Sequence, residues 1–271
     1  MKLKMTNRNK KLITLAKEII RTISPLKEIK AMGIYGAVAL GFEDKFSDID
    51  LVALYDKSPS IKKREILLKK LQGIKFIDDL PDKKAMDYFN YKNKEVTISY
   101  KNIKKFEKII KNFNKGKFIW QEVREVIGRI HLGKIIYDPK DKFKNLKNQI
   151  KKPKISKKLW PLDHLNRTCY GNRGPWGDRL KTAIERKNEI AIHNEFNELI
   201  TSFIISLYTL NGLYYTTPKW IFKHLKQMKL KPKNTEKRLR KLAILGNTFK
   251  NIKKKRKILK LLTNDLNKLL K

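Results

Sequence analysis

The sequence predicts an α+β chain in two parts. Residues 1–140 read as a mixed sheet with flanking helices, and residues 155–271 as an all-helical bundle. Three observations predict this. Residues 33–55 alternate a short apolar strand, a glycine turn, a polar loop and a second apolar strand. Residues 87–100 repeat the period-two pattern on both sides of Lys92-Asn93, as a hairpin does. From residue 177 onward the apolar positions recur at helical spacing and no strand pattern returns.

The elements follow in order. Residues 8–24 form an amphipathic helix with Leu12, Leu15, Ile19, Ile20 and Ile23 near one face, ended by Pro25. Strands are expected at 29–35 and 48–55, a helix at 62–71 and a short strand at 74–78. The hairpin pairs 87–91 with 95–100, and a helix at 102–112 comes after it. A helix at 118–128 precedes a short apolar run at 135–137. The Lys-rich stretch 138–158, with Pro139 and Pro153, reads as a solvated junction. Helices are then expected at 177–187, 189–211, 218–227, 234–246 and 248–270, which makes a bundle of four or five. Asn211-Gly212 stops the long second one, and Thr217-Pro218 caps and opens the third.

Composition narrows the class. With 271 residues and 41% hydrophobic content, the chain has the material for real cores. No apolar run is long enough to cross a bilayer, and the N-terminal residues carry no signal-peptide core. The single Cys169 excludes an internal disulfide, and Cys169 with His131, His164, His193 and His224 shows no zinc spacing. A reduced, cytoplasmic protein is the expectation. The formal net charge is +39, from 65 Lys and Arg against 26 Asp and Glu. That excess suits a polyanionic partner, most simply RNA, although no RNA-recognition, zinc-finger or helix-turn-helix signature accompanies it.

The chemistry-bearing segment is 33–55. Ser47-Asp48-Ile49-Asp50-Leu51 opens the second strand. Alternation puts Asp48 and Asp50 on one face and Ile49 and Leu51 on the other. Two carboxylates on one face, beside a glycine turn with outward N–H groups, suit a divalent metal and a triphosphate. Such carboxylates ~4 Å apart repel by up to ~4 kcal/mol at an effective dielectric near 20, which favours uptake of a cation.

Gly36-Ala37, a gap of ten residues and Asp48-Ile49-Asp50 between apolar neighbours resemble the nucleotidyltransferase superfamily that includes DNA polymerase β. The string from Gly36 to Leu51 looks like small bacterial and archaeal members, antibiotic-modifying ones among them. The run 207–220, with Leu210-Asn211, Tyr214 and Lys219-Trp220, looks like a segment of their helical C-terminal domains. Ala37 departs from the pattern, because a second Gly or a Ser usually stands there. The resemblance implies Mg²⁺-dependent transfer of a nucleoside monophosphate from an NTP, with ATP the expected one, onto a hydroxyl.

In that family pattern Asp48 and Asp50 bind metal, and the backbone at Gly36 and Ala37 cradles phosphates. Ser47 contacts a phosphate or orients Asp48. A third carboxylate stands on the neighbouring strand. Glu95 is the only acid on that face of 95–100, one step before Thr97, where the family pattern has Asp. Asp87 is the reserve. Glu195, with Glu198 and His193 nearby, is the candidate general base for an acceptor lying between the two parts. The acceptor is a small molecule or RNA, and the Lys-rich bundle offers no acidic pocket for a cationic drug. A degenerate relative that binds nucleotide or RNA without catalysis, and a toxin of a toxin–antitoxin pair, stand as alternatives. Tyr214 and Trp220 have a simpler reading as packing at a helix corner.

Overall fold

The computed structural model describes residues 5–76, 85–117, 122, 126–152, 179–246 and 248–270. They fall into two compact units, Met1–Lys151 and Lys152–Lys271.

The first unit is built on a six-stranded mixed sheet. Its strands are β1 (Ile29–Ile34), β2 (Ile49–Tyr55), β3 (Ile74–Phe76), β4 (Met86–Tyr91), β5 (Lys94–Asn102) and β6 (Lys134–Tyr137), in the order β3-β4-β5-β2-β1-β6. Among the described strands only β2 and β5 run parallel; the remaining neighbours are antiparallel. Lys92 and Asn93 take positive φ of 48° and 61°, the two-residue turn that matches the twist of a hairpin. Helix α1 (Asn7–Ile23), capped by the Thr6 hydroxyl, lays Leu12, Ile19, Ile20 and Ile23 on one face of the sheet. That face presents Ile34, Leu51, Phe89, Val96 and Ile98, all essentially without exposure. Helix α2 (Gly36–Leu40) follows β1 directly, and α3 (Ile61–Leu68) packs beside α1.

Helix α4 (Ile103–Asn114) follows β5, and α5 (Gly128–Leu132) precedes β6. The stretch read as a solvated junction is corrected here. It contains helix α6 (Lys142–Gln149), whose Phe143 and Leu146 are fully buried. A Cβ on Gly33 would meet Phe143 at 2.4 Å, so α6 closes over β1 only because residue 33 has no side chain. Most of the helix expected at 118–128, along with Cys169 and His164, lies outside the described residues.

The second unit is helical. Its helices are α7 (Arg179–Glu185), α8 (Glu189–Leu210), α9 (Ile221–Gln227), α10 (Thr235–Ile244) and α11 (Phe249–Lys268), with a 3₁₀ turn at Pro218–Trp220. Asn211 ends α8 and Gly212 takes a φ of +64°. Thr217 accepts a hydrogen bond from the Lys219 N–H, with Pro218 in the first turn. Tyr214 and Trp220 are both buried, which is the packing reading of that corner. No described helix is long and apolar enough to cross a membrane.

Candidate active site

The site is delivered by the start of β2. Asp48 stands just before the strand and Asp50 within it, both partly exposed, while Ile49 and Leu51 are buried on the opposite face. The loop that carries Asp48 is fastened at two points. Thr6 Oγ1 donates to Glu43 at 2.5 Å, and Asn9 Nδ2, itself buried, donates to Glu43 at 2.7 Å and to the Val38 carbonyl at 3.0 Å. The second fastening is Ser47. Its hydroxyl donates to Asp44 Oδ1 at 3.0 Å and accepts from the Asp44 N–H at 2.8 Å. Ser47 is buried and engaged inside the loop, an arrangement that suits the expected role of orienting Asp48 more than contact with a phosphate. It shapes the loop that leads into Asp48.

The glycine turn and the aspartate strand touch. Gly36 has a φ of +63°, and a Cβ there would lie 2.3 Å from Asp50 Oδ2. The Tyr35 N–H donates to the Asp50 carbonyl at 2.8 Å. Any larger residue at 36 would therefore meet both backbone strain and a carboxylate. The turn expected at Gly36-Ala37 is the opening of helix α2, and the Ala37 side chain is buried.

On β5, the residue in register with Asp50 is Thr97, and Ile49 pairs with Val96. Glu95 is exposed at the start of the same face and accepts a hydrogen bond from the Tyr88 hydroxyl. That bond, and next burial and the Glu95 and Asp48 charges, raises the Tyr88 pKa. Tyr88, Glu95 and Asp48 thus form one acidic neighbourhood. The residue types alone do not single out Tyr88. The two-residue turn would have revealed it, since that turn fixes Tyr88 opposite Thr97.

The same register removes Asp87 from the site. Asp87 pairs with Ile98 and so points to the covered face. There it meets Arg64 at 2.9 Å and accepts from the Tyr100 hydroxyl at 2.7 Å, with Arg64 wholly buried. Burial raises the Asp87 pKa, while Tyr100 and Arg64 pull it down. Asp87 is a buried structural acid, not a reserve ligand. Glu195 belongs to the second unit, on α8, where it is half-buried with Oε2 sunk from solvent. Glu198 and His193 are exposed on the same helix.

Among the described residues, no three His, Cys, Asp or Glu side chains gather closely enough to hold a metal by themselves. The expected three-carboxylate set is not assembled. What remains is a hard oxygen pair, Asp48 and Asp50. Mg²⁺ keeps several waters and is commonly held by one or two carboxylates plus substrate phosphates, so this pair fits a cation shared with a triphosphate.

The model of the nucleotidyltransferase domain family matches residues 13–160, more than half of the chain and the whole of this site. The chain belongs to that family. Nucleotidyl transfer is the family's general chemistry. No curated protein matches the sequence. Among solved structures, a nucleotidyltransferase-like protein from Exiguobacterium sibiricum is similar at 12% identity, over 94% of this chain and 74% of its own, with a TM-score of 0.41. A CCA-adding enzyme in complex with CTP is similar at 14% identity, over 96% of this chain and 69% of its own, with a TM-score of 0.29.

Proposed function

We propose that the chain transfers a nucleoside monophosphate from an NTP, ATP first among them, onto a hydroxyl acceptor, and releases pyrophosphate. The observation that supports this most is the contact between the two halves of the motif. Fourteen positions apart in sequence, Gly36 and Asp50 meet where only glycine leaves room for the carboxylate.

In this reading Asp48 and Asp50 hold Mg²⁺ together with the triphosphate. Bound there, the cation would supply charge neutralisation at the phosphates and would lower the pKa of the attacking hydroxyl. The fastened loop 43–47 keeps Asp48 in place without a reorganisation cost at the moment of reaction. The turn at Gly36-Ala37 brings backbone N–H groups beside Asp50, on the side where phosphate oxygens bind. Tyr88 and Glu95 extend the acidic neighbourhood, with Glu95 as an outer carboxylate. Glu195 is retained as the general base for the acceptor. The acceptor is a small molecule or RNA, and the place of action is the cytoplasm.

A second reading has a specific observation behind it. Thr97 occupies the register position beside Asp50. A family member that lost its third carboxylate there would bind nucleotide without turning it over. Incubation with each α-labelled NTP, Mg²⁺ and total cellular extract separates the two readings, with Asp50→Asn as control. Label entering an RNA, protein or small-molecule fraction only with the wild-type chain establishes transfer and names the acceptor class. Mg²⁺-dependent NTP binding without label above the control establishes the binding module.

A further inference from the structure

The positive charge is not spread evenly over the second unit. Helix α8 runs for 22 residues without one Lys or Arg and carries Glu189, Glu195 and Glu198. Helix α11, of 20 residues, carries eight Lys and Arg and a single acid, Asp265. A uniform lysine bias in the chain would have marked both helices. From Lys219 to Lys268 eighteen basic residues face two acids, and both acids are engaged within the unit. Glu236 is held by Arg240 at 2.8 Å and Asp265 by Arg238 at 2.6 Å.

The basic side chains of α11 are also sorted by face. Ile252, Leu259, Leu262 and Leu266 are buried in the unit. Lys255 turns inward with them, its ammonium 5.2 Å from the centre of the Phe196 ring on α8. Lys250, Lys253, Lys254, Lys257 and Lys260 are exposed and recur at intervals of three and four. That spacing makes one stripe, nearly two ammonium groups per 5.4 Å turn over ~15 Å of helix. Like charges at these intervals repel, and a polyanion lying along the face would relieve that repulsion.

We propose that the exposed face of α11 is a docking strip for the phosphodiester backbone of RNA. A row of phosphates supplies charge of the opposite sign at intervals of a few ångströms, about 3.4 Å of axis per charge in one strand of a duplex, the same order as the lysine spacing. The strip consists of lysines, which act as point charges and lack the fork that reads base edges, so recognition follows the backbone rather than the sequence. The proposal does not rest on catalysis, since binding is read without NTP.

The test is fluorescence anisotropy of the full chain with a labelled single-stranded RNA of about 20 nucleotides, titrated between about 50 and 300 mM KCl. Three variants are compared with wild type. One changes the five strip lysines to Gln, a second changes them to Arg, and a third changes Lys10, Lys11, Lys17, Lys62 and Lys69 of the first unit to Gln. Thermal melts confirm folding. The strip Gln variant is expected to lose at least tenfold in affinity. Its log K against log salt slope is expected to flatten by about 3.5, at ~0.7 for each of the five phosphates no longer neutralised. The Arg variant should retain binding, and the first-unit variant should lose less than threefold. Equal losses in the two Gln variants would overturn the proposal, because affinity would then follow net charge and not place. Poly-glutamate competing as well as RNA at equal charge would also overturn it, in favour of an acidic protein partner.

Discussion

Two neighbouring residues of β4, Asp87 and Tyr88, look to opposite faces of the same sheet, and the faces treat acids in opposite ways. On the covered face Asp87 is buried against the Arg64 guanidinium and the Tyr100 hydroxyl, and that guanidinium lies 4.2 Å from the centre of the Tyr100 ring. On the open face Asp48 and Glu95 act on one phenol, Tyr88, and Asp50 fills the space that Gly36 leaves. An acid matched by a base of its own chain is part of the fold. Acids gathered with other acids raise the energy of the folded state, and a cation from outside lowers it again. The two faces hold their carboxylates in different surroundings, and substitutions on each face should fail in different ways.

The largest expected effect is on the open face. Asp50→Asn should reduce transfer from α-labelled NTP by ~10⁴-fold, about 5.5 kcal/mol of transition-state stabilisation, with the melting temperature unchanged or raised. A melting temperature lowered together with activity would place Asp50 with the structural acids. Asp87→Asn should do the reverse. It removes the carboxylate that balances the buried Arg64 charge, at a cost of about 3–5 kcal/mol in denaturant unfolding. The double change Arg64→Met with Asp87→Leu removes both charges and should recover most of that stability.

The open face was the more legible of the two. Asp48 and Asp50 follow from strand alternation, and the hairpin at Lys92-Asn93 from its pattern. Asp87 was harder because the apolar pattern of 87–91 has no single polarity. Tyr88, Phe89 and Tyr91 are aromatic on both faces, and only the turn register settles which way Asp87 points. Helix α6 was hidden by its composition: two apolar residues in eight, Phe143 and Leu146, among lysines. Phe143 packs where Gly33, more than a hundred residues earlier, leaves room for it, and no local window contains both. The hydroxyl of Ser47 fits either a loop staple or a phosphate contact by type, and its bond to Asp44 is visible only in three dimensions.

The second unit offers the contrasting case of a buried titratable group with no fixed charge. Burial lowers the His224 pKa from 6.5 to about 4. Because the folded value lies below the unfolded one, its contribution is fully present above pH 6.5 and is lost as pH falls toward 4. About 3 kcal/mol of stability should disappear across that window. Denaturant unfolding of wild type and His224→Gln at pH 7 and pH 4.5 checks this. The variant should show a smaller loss, and equal losses would assign the acid sensitivity to other groups.

Gly36→Ala tests the contact at the centre of the site. The positive φ costs ~1–2 kcal/mol for a residue with Cβ, and the new carbon must displace Asp50 Oδ2. We expect a stability loss of about 2 kcal/mol and a fall in transfer well beyond it, through the displaced carboxylate. A fall in activity no larger than that from Asp44→Ala, which only loosens the loop, would show that the Gly36–Asp50 contact carries no special part of the chemistry.

The smallest effect separates the enzyme from its degenerate alternative. Thr97→Asp adds a carboxylate in register with Asp50, on the face that already gathers acids. Without metal the variant should lose about 1 kcal/mol, because like charges side by side on adjacent strands repel and Asp is a poor strand former. Mg²⁺ should return that stability and bind severalfold more tightly than to wild type, as calorimetry would measure. If the two-carboxylate pair already completes its shell with phosphates, transfer by the variant changes little although its metal binding improves. If position 97 is where a catalytic ligand was lost, the same substitution raises transfer from a wild-type baseline near zero. Unchanged Mg²⁺ affinity would mean that position 97 lies outside the metal's reach, and would return Glu95 as the one acid on β5 able to serve.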